Sequence, residues 1–487
     1  MKNLLKYSFR MTLAVGISRI AGLFREQIYA IYFGASSLFD SFLVSFRIPN
    51  LFREIFAEGA VSAVFVPYFT EKQRSKNPLD ANYALWSVAI TLFTITFFIS
   101  CLLVLFSTEL FLFFGPHLKP SGLKMINFYL PLASLYALFS SALNTLYRFF
   151  LPAVLPGLSS LLIIIVIPLE YYFFKEATIL TLSYTFVGYM FIQSFITGFL
   201  LYKKFPFHGF SYKEGFVVIK KMIPAIYSFL TAQASTYLQT SFALQLGPGI
   251  LSCLNYAFKI FQLPIGLLGV ALSNAHIVLF ADSLKTGNTI EAQKIFSNSL
   301  KIIVLFFTPI LIFFFVYGDE IISVIYQRGK FNEEATYNTT LAFKSYLICL
   351  PFYAISKLTT STLLALNLAK KLVLSSTFSL FIQGIICFFF LKDISSLALA
   401  TSLSVISSTL WQSFFIKKSL GNFQLLHKES LALIPFCISV FLIKKFFPFY
   451  RVFFLKDLLI IGFHFSFSII IYILSIWVLK KRGKQSI

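Results

Sequence analysis

Apolar runs long enough to cross a lipid bilayer recur along the whole sequence, and residues 85–106 and 458–479 form two of them. A helix needs about 20 residues to cross a hydrocarbon core of about 30 Å. Only 12% of the 487 residues are charged, which is about half the share found in soluble domains, while 58% are hydrophobic. The sequence therefore predicts an all-α polytopic membrane protein.

Hydrophobic periodicity predicts about 14 transmembrane helices, which we call spans and number in chain order. The predicted spans are 7–33, 38–68, 83–107, 126–147, 152–175, 178–202, 216–246, 251–281, 298–318, 340–367, 371–392, 394–416, 430–447 and 456–479. The basic N-terminal stretch lacks the small-residue cleavage site of a signal peptide, so we expect it to be retained as the first span.

Basic residues predict the orientation of these spans. Forty-one lysines and arginines stand against 19 acidic residues and give a net charge of +22. In a soluble protein this balance would suggest nucleic acid, but in membrane proteins the short basic loops are those that face the cytoplasm. Most of the basic loop residues fall on one side if both termini are cytoplasmic. We therefore expect a multi-pass protein with membrane lipids, and no nucleic acid, among its partners.

Cysteine and histidine are too scattered to indicate a metal centre or a catalytic site. The five cysteines lie singly in apolar stretches, and none of the five histidines has a partner at ligand spacing. His276 has the polar neighbours Ser273 and Asn274, but a membrane-embedded enzyme would need a catalytic histidine or paired carboxylates near one membrane face. We interpret His276 as a packing residue and expect no catalytic residue, metal or cofactor.

A faint internal repeat suggests how the spans are grouped. The triplet FGA at 33–35 corresponds to LGP at 246–248, and ALN occurs at both 142–144 and 365–367. Repeats of this kind are typical of transporters that are built from similar bundles. We predict an N-terminal bundle at 1–205 and a C-terminal bundle at 206–428. Residues 429–487 would then add spans 13 and 14 and a basic tail.

Ionisable residues inside the spans are the most informative feature, because each costs about 2.5–3.5 kcal/mol at the centre of a membrane helix. They are Arg19, Arg25 and Glu26 in span 1; Asp40, Arg47, Arg53, Glu54 and Glu58 in span 2; Lys259 in span 8; and Lys357 in span 10. Two interpretations stay open for each cation. It can reach the headgroups or pair with a nearby carboxylate, or it can serve a substrate.

The sign of these charges predicts the sign of the substrate. Spans 7 to 12 contain no carboxylate away from their ends, so the cations outnumber the available acids. Arginine suits phosphate because its planar group donates two parallel hydrogen bonds. The sequence favours a phosphate-bearing anion over the cationic drugs that many exporters carry.

The segment at 18–69 carries a recognisable motif, RIPNLFREIFAEGA at 47–60. This segment closely resembles the opening of the MurJ (MviN-type) lipid II flippases of the MOP exporter superfamily. Supporting matches are LNTLYRFFLP at 143–152, LPIGLLGVAL at 263–272 and YQRGKF at 326–331.

The resemblance implies a lipid II flippase with a cationic cavity. It would carry an undecaprenyl-diphosphate-linked peptidoglycan precursor from the cytoplasmic to the outer leaflet of the bacterial inner membrane by alternating access. Its candidate partners are lipid II and the cell-wall synthesis machinery. The substrate-binding positions carried over are Ser18, Arg19, Arg25, Asp40, Arg53 and Lys259, and the motif or gating positions are Arg47, Pro49, Asn50, Glu58 and Gly59.

Two departures from the family pattern concern the second half of the chain. Lys259 stands where the family usually has arginine, which keeps the charge and loses the two-pronged donor. LNLAKKLV at 366–373 replaces a D-x-x-T-P segment, and the carboxylates with which some members are thought to bind sodium are missing. Coupling to the membrane potential or to a monovalent cation therefore stays open. The alternative function is another flippase or exporter of the superfamily, for a different polyprenyl-linked glycan or a small ion.

Overall fold

The computed structural model is helical, and no strand occurs among the residues that it describes. Those residues are 2–54, 61–75, 77, 79–107, 109, 118, 124–146, 148, 150–421, 431–446 and 454–485. They form two compact units, Met1–Ser252 and Cys253–Ile487. The all-α class predicted from the sequence is confirmed.

The first unit contains eight α-helices and a short 3₁₀ turn among its described residues. They are α1 (Lys2–Phe33), α2 (Ser37–Glu54), α3 (Val61–Gln73), α4 (Leu79–Leu105), the 3₁₀ turn Lys124–Phe128, α5 (Tyr129–Thr145), α6 (Phe150–Phe174), α7 (Ile179–Tyr202) and α8 (Tyr212–Leu246). The next helix, α9 (Ile250–Pro264), begins in the first unit and continues into the second.

The second unit continues with a π-helical turn and nine further α-helices among its described residues. They are the π turn Ile265–Gly269, α10 (Val270–Lys285), α11 (Thr289–Val316), α12 (Gly318–Tyr326), α13 (Glu333–Leu347), α14 (Leu350–Ala365), α15 (Ala369–Phe390), α16 (Ile394–Leu420), α17 (Leu433–Phe446) and α18 (Phe454–Gln485).

Eight helical segments of the described chain are long and apolar enough to cross a membrane. They are Leu79–Leu105, Lys124–Thr145, Phe150–Phe174, Ile179–Tyr202, Thr289–Val316, Ala369–Phe390, Ile394–Leu420 and Lys456–Leu479. A ninth is obtained if α13 and α14, which meet at a bend of 50°, form one broken span. Each of these segments overlaps a predicted span.

The other five predicted spans are helical where the structure describes them, but charges or interruptions set them apart. The first and seventh, α1 and α8, carry several charged residues. The second is described as α2 and α3, the eighth is interrupted by the π turn, and the described part of the thirteenth includes the 14-residue helix α17. The count of 14 membrane-crossing helices stays a prediction.

Packing in the first unit brings α8 against α4 and α1 against α6. The apolar core around Phe65, Phe69 and Leu85 lies where α3, α4 and α5 meet. The first compact unit ends at residue 252, and this boundary is defined by which residues pack against one another. The predicted bundle boundary at residue 205 was drawn from a sequence repeat, and it stays a prediction.

In the second unit, the two C-terminal helices dock through polar contacts. Lys444 Nζ of α17 lies 2.7 Å from Glu320 Oε1 of α12. His464 Nδ1 of α18 lies 3.1 Å from the hydroxyl of Tyr317, and Tyr472 donates to the carbonyl of Leu305 at 2.9 Å. The helices predicted as an addition to the repeat therefore pack on α11 and α12.

Candidate functional site

Arg25 is paired with the residue that follows it. Its Nη2 donates to Glu26 Oε1 at 2.7 Å, and its guanidinium carbon lies 5.7 Å from the ring centre of Tyr29. The Arg25 side chain is 20% exposed, whereas that of Glu26 is 4% exposed. The ion pair therefore has one partner within reach of solvent and one that is buried.

Three polar atoms of this cluster make no hydrogen bond with any described residue. They are Arg25 Nε, Glu26 Oε2 and the hydroxyl of Tyr29, and all three are buried. A buried polar group left unsatisfied costs about 1–3 kcal/mol. Such groups call for a physical explanation, and they occur here beside a predicted substrate residue.

Tyr189 of α7 connects the surroundings of Arg25 with those of Arg53. The charges of both arginines act on the Tyr189 hydroxyl, which donates to the hydroxyl of Tyr129 at 3.5 Å. Arg53 acts on Tyr129 as well. Two of the predicted substrate residues thus lie near the same buried tyrosine in the first unit.

Arg53 is oriented by neighbours on its own helix. Its Nε donates to Asn50 Oδ1 at 2.8 Å, and its Nη2 lies 3.6 Å from Glu54 Oε1. Asn50 Nδ2 donates to Glu54 Oε1 at 2.8 Å, and Gln233 Nε2 of α8 donates to Glu54 Oε2 at 2.5 Å. The side chains of Arg53 and Glu54 are 27% and 24% exposed, so both members of this pair reach solvent.

Arg47 joins α2 to α8. Its Nη1 donates to the carbonyl of Thr236 at 2.9 Å and to the hydroxyl of Thr240, while the hydroxyl of Tyr237 donates to the Arg47 carbonyl at 3.1 Å. Together with Gln233, these residues follow the i, i+3, i+4, i+7 spacing of one helix face. Arg47 therefore fixes α2 against α8, and Pro49 is buried within the same helix.

Asp40 is fully buried and accepts three hydrogen bonds at the beginning of α9. Its carboxylate lies 2.6 Å from the amide of Gly249, 2.8 Å from the amide of Ser252 and 2.5 Å from the Ser252 hydroxyl. A carboxylate in this position satisfies the free amides of a helix start and interacts favourably with the helix dipole. These contacts give Asp40 a role in the fold, and its part in substrate binding stays a prediction.

Ser18 and Arg19 lie one to two turns before Arg25 on α1. Ser18 lies where α1 meets α6, since a Cβ added at Gly157 would lie 3.5 Å from the Ser18 hydroxyl. Arg19 is half-buried and makes no ion pair with any described residue. Of the predicted substrate-binding arginines, Arg19 is therefore the one without a carboxylate partner among the described residues.

The remaining predicted residues lie elsewhere or are not described. Lys259 is half-buried on α9 within the second unit, next to Phe258, whose ring centre lies 5.5 Å from that of Tyr346. Lys357 is exposed, with its Nζ 5.5 Å from the ring centre of Tyr353. Glu58 and Gly59 fall outside the described residues.

His276 is held by two hydroxyl groups in the second unit. Its Nδ1 lies 3.0 Å from the hydroxyl of Ser299 and its Nε2 lies 2.9 Å from that of Thr362. The ring is 2% exposed, which agrees with the packing role expected from the sequence. Within the described ranges, no three histidine, cysteine or acidic side chains come together as metal ligands would.

Two features of the site were not predicted from the sequence, namely the tyrosines and the polar face of α8. Tyr29, Tyr129 and Tyr189 carry no charge, so nothing marks them within apolar helices. The α8 residues could have been found, because Gln233, Thr236 and Thr240 recur at helical spacing in a predicted span.

Comparison with known proteins places the chain in a family. The family model described as lipid II flippase MurJ matches residues 29–477. The probable lipid II flippase MurJ of Aquifex aeolicus (strain VF5) is 31% identical over 377 residues, which are 73% of this chain and 71% of that protein. That of Buchnera aphidicola subsp. Schizaphis graminum is 28% identical over 477 residues, 93% of this chain and 91% of that protein.

A solved structure described as lipid II flippase MurJ in an inward closed conformation has the same fold. It superposes with a TM-score of 0.81 over 98% of this chain and 99% of that one, at 24% sequence identity. The resemblance inferred from the motif at 47–60 is thereby confirmed along most of the chain. The chain belongs to the lipid II flippase MurJ family.

Proposed function

We propose that this protein is a lipid II flippase of the bacterial cytoplasmic membrane, with both termini in the cytoplasm. It carries the undecaprenyl-diphosphate-linked peptidoglycan precursor from the cytoplasmic to the outer leaflet by alternating access. The observation that best supports the proposal is the pair of arginines, Arg25 and Arg53, which both lie near Tyr189 and have partly exposed side chains.

The chemistry of this cluster suits a diphosphate. Such a group carries two negative charges and several acceptor oxygens, which match the planar donors of Arg25 and Arg53. Both arginine side chains are partly exposed. Arg19, on the same helix as Arg25, adds a cation with no ion-pair partner among the described residues. Charges inside a membrane helix are costly and are usually retained for function.

We extend the proposal to three further residues. Lys259 contributes positive charge to substrate binding, while Ser18 and Asp40 support the arginines. Coupling to the membrane potential or to a monovalent cation would supply the energy for net transport, and the cell-wall synthesis machinery would receive the product.

The proposal is tested by asking where lipid II resides after the protein is depleted. An enzyme that cleaves lipid II only at the outer face is added to cells whose sole flippase is the parent or a variant. The parent should expose lipid II to cleavage, whereas Arg25→Lys and Arg53→Lys, which keep the charge but lose the fork, should leave most of it protected.

The exposed loop residue Arg148 supplies the matched control, since Arg148→Ala removes an exposed arginine that lies just outside the predicted spans. This variant should behave like the parent at equal expression. Cleavage of lipid II that does not depend on the presence of the protein would contradict the flippase assignment.

A further inference from the structure

Glu26 is a buried carboxylate that relies on one cation. It is 4% exposed, its Oε1 accepts from Arg25 at 2.7 Å, and its Oε2 makes no hydrogen bond with any described residue. The other unpartnered atoms of the cluster, Arg25 Nε and the Tyr29 hydroxyl, are its neighbours on α1. The proposed function uses Arg25 and leaves the fate of Glu26 open.

The titratable and charged groups around Glu26 come from four helices. Arg25 and Tyr29 lie on α1 itself, and the charge of Glu26 acts on Tyr29. Tyr189 of α7 lies near Arg25 and is hydrogen-bonded to Tyr129 of α5, and Arg53 and Glu54 of α2 lie near Tyr129. Of these groups, Arg25 forms the ion pair with Glu26.

A diphosphate bound to Arg25 competes with Glu26 for the same guanidinium. It brings two charges and a better match to the arginine fork than a single carboxylate oxygen provides. Once its cation is engaged elsewhere, Glu26 would be an isolated buried charge, which is so costly that the group is neutralised instead.

We infer that Glu26 takes up one proton from water when a diphosphate lipid binds Arg25, and returns it when the lipid leaves. The inference rests on the proposed function, because it assumes that Arg25 contacts the substrate. The exchange is balanced. Before binding there are the Arg25–Glu26 ion pair, the doubly charged diphosphate diester and one proton. After binding there are an Arg25–diester pair and a neutral Glu26 carboxyl.

The second arginine–glutamate pair provides an internal comparison. Glu54 is 24% exposed and accepts from Asn50 and Gln233 in addition to its contact with Arg53. If a diphosphate drew Arg53 away, Glu54 would keep those donors and its access to water, so it has no need of a proton. Proton uptake should therefore belong to Glu26 alone.

The inference is tested by titration calorimetry of the purified full chain in detergent, with lipid II as the probe. The diphosphate diester of the probe stays doubly charged near neutral pH. Heats measured in two buffers of different ionisation enthalpy give the number of protons exchanged on binding. We expect uptake close to one proton for the parent, and a Kd that rises about tenfold per unit of pH above neutrality.

Variants separate the proton from the binding site. Glu26→Gln should bind with no proton uptake and with a Kd independent of pH, whereas Glu54→Gln should keep the uptake of the parent whatever its affinity. Parent binding without uptake, or uptake that persists in Glu26→Gln, would overturn the inference and leave the proposed function intact. Parent-like binding by Arg25→Ala would instead refute the proposed substrate site. If Glu26→Gln does not fold, binding by the parent without proton uptake still overturns the inference.

Discussion

At the scale of single residues, Arg25 and Arg53 are each followed by a glutamate, and the two pairs differ in how much solvent reaches them. Glu26 is 4% exposed and Glu54 is 24% exposed. The arginines could be identified from the sequence because a charge within an apolar run is conspicuous. Their tyrosine neighbours could not, since 24 tyrosines are spread along the chain and only folding selects three of them.

The burial of Glu26 predicts a stability effect that can be separated from substrate binding. Arg25→Ala should destabilise the protein by about 3 kcal/mol, because it leaves a buried carboxylate without its cation. The double variant Arg25→Ala/Glu26→Gln should recover most of the melting temperature in detergent and still fail to bind lipid II.

Arg53→Ala is the matched comparison for that experiment. Its ion pair is longer and partly solvated, so its removal should cost less than about 1 kcal/mol. Recovery of lipid II binding in the Arg25/Glu26 double variant would show that Arg25 only neutralises its neighbour.

Lys259 offers a second prediction at this scale. Lys259→Arg should retain flippase activity and Lys259→Ala should lose most of it, because the proposal requires a positive charge at this position on α9. Growth of cells that depend on the variant, at equal expression, measures the effect. As a control, Lys357→Ala removes an exposed lysine of the same unit and should support normal growth. If cells with Lys259→Ala grow as well as cells with the parent, Lys259 is not part of the substrate site.

At the scale of helices, α8 is held by polar contacts with α2 and by close packing against α4. The first can be predicted from the sequence more readily than the second. Its polar face meets Arg47 and Glu54 of α2, and this face could be predicted from residue spacing. Its approach to α4 depends on Gly215, which is inconspicuous in the sequence. A Cβ at Gly215 would lie 2.6 Å from Thr91 Cβ and 2.7 Å from the carbonyl oxygen of Ser87.

This close approach predicts that Gly215→Ala destabilises the first unit. The added methyl group would meet backbone that cannot move without shifting α8 or α4, and overpacking of this kind costs about 1–3 kcal/mol. Gly188→Ala on α7 is the control, because nothing lies within 4 Å of its added Cβ. That variant should be neutral or slightly more stable, since alanine favours the helix. Equal melting temperatures for both variants would contradict the predicted clash.

At the scale of the whole molecule, hydrophobic runs predicted the all-α membrane class, while the number of crossings and the bundle boundary depend on more than composition. Helices α1 and α8 contain charged residues, so composition alone does not identify them as membrane spans. The π turn divides span 8. The sequence repeat relates α8 to α1 and so puts it at the beginning of the predicted C-terminal bundle, whereas packing assigns it to the first compact unit. A repeat records similarity between segments and does not record which neighbour a helix packs against.

The proposed orientation can be measured by cysteine labelling. All five native cysteines are free, so they are first replaced. A membrane-impermeant reagent should label Glu176→Cys, in the exposed turn between α6 and α7, in intact cells. Arg74→Cys, which follows α3, should react only after permeabilisation; the reverse order would refute cytoplasmic termini.

The contacts of Asp40 have a consequence for the order in which the protein is made. Its backbone partners lie 209 and 212 residues further along the chain. At about 5–20 residues per second, a ribosome needs about 10–40 s to reach them after it has passed Asp40. During that interval the carboxylate already lies in a nascent helix but lacks the amides of Gly249 and Ser252. The early helices of the first unit therefore remain in the insertion machinery, or in a less tightly packed arrangement, until the start of α9 has been synthesised.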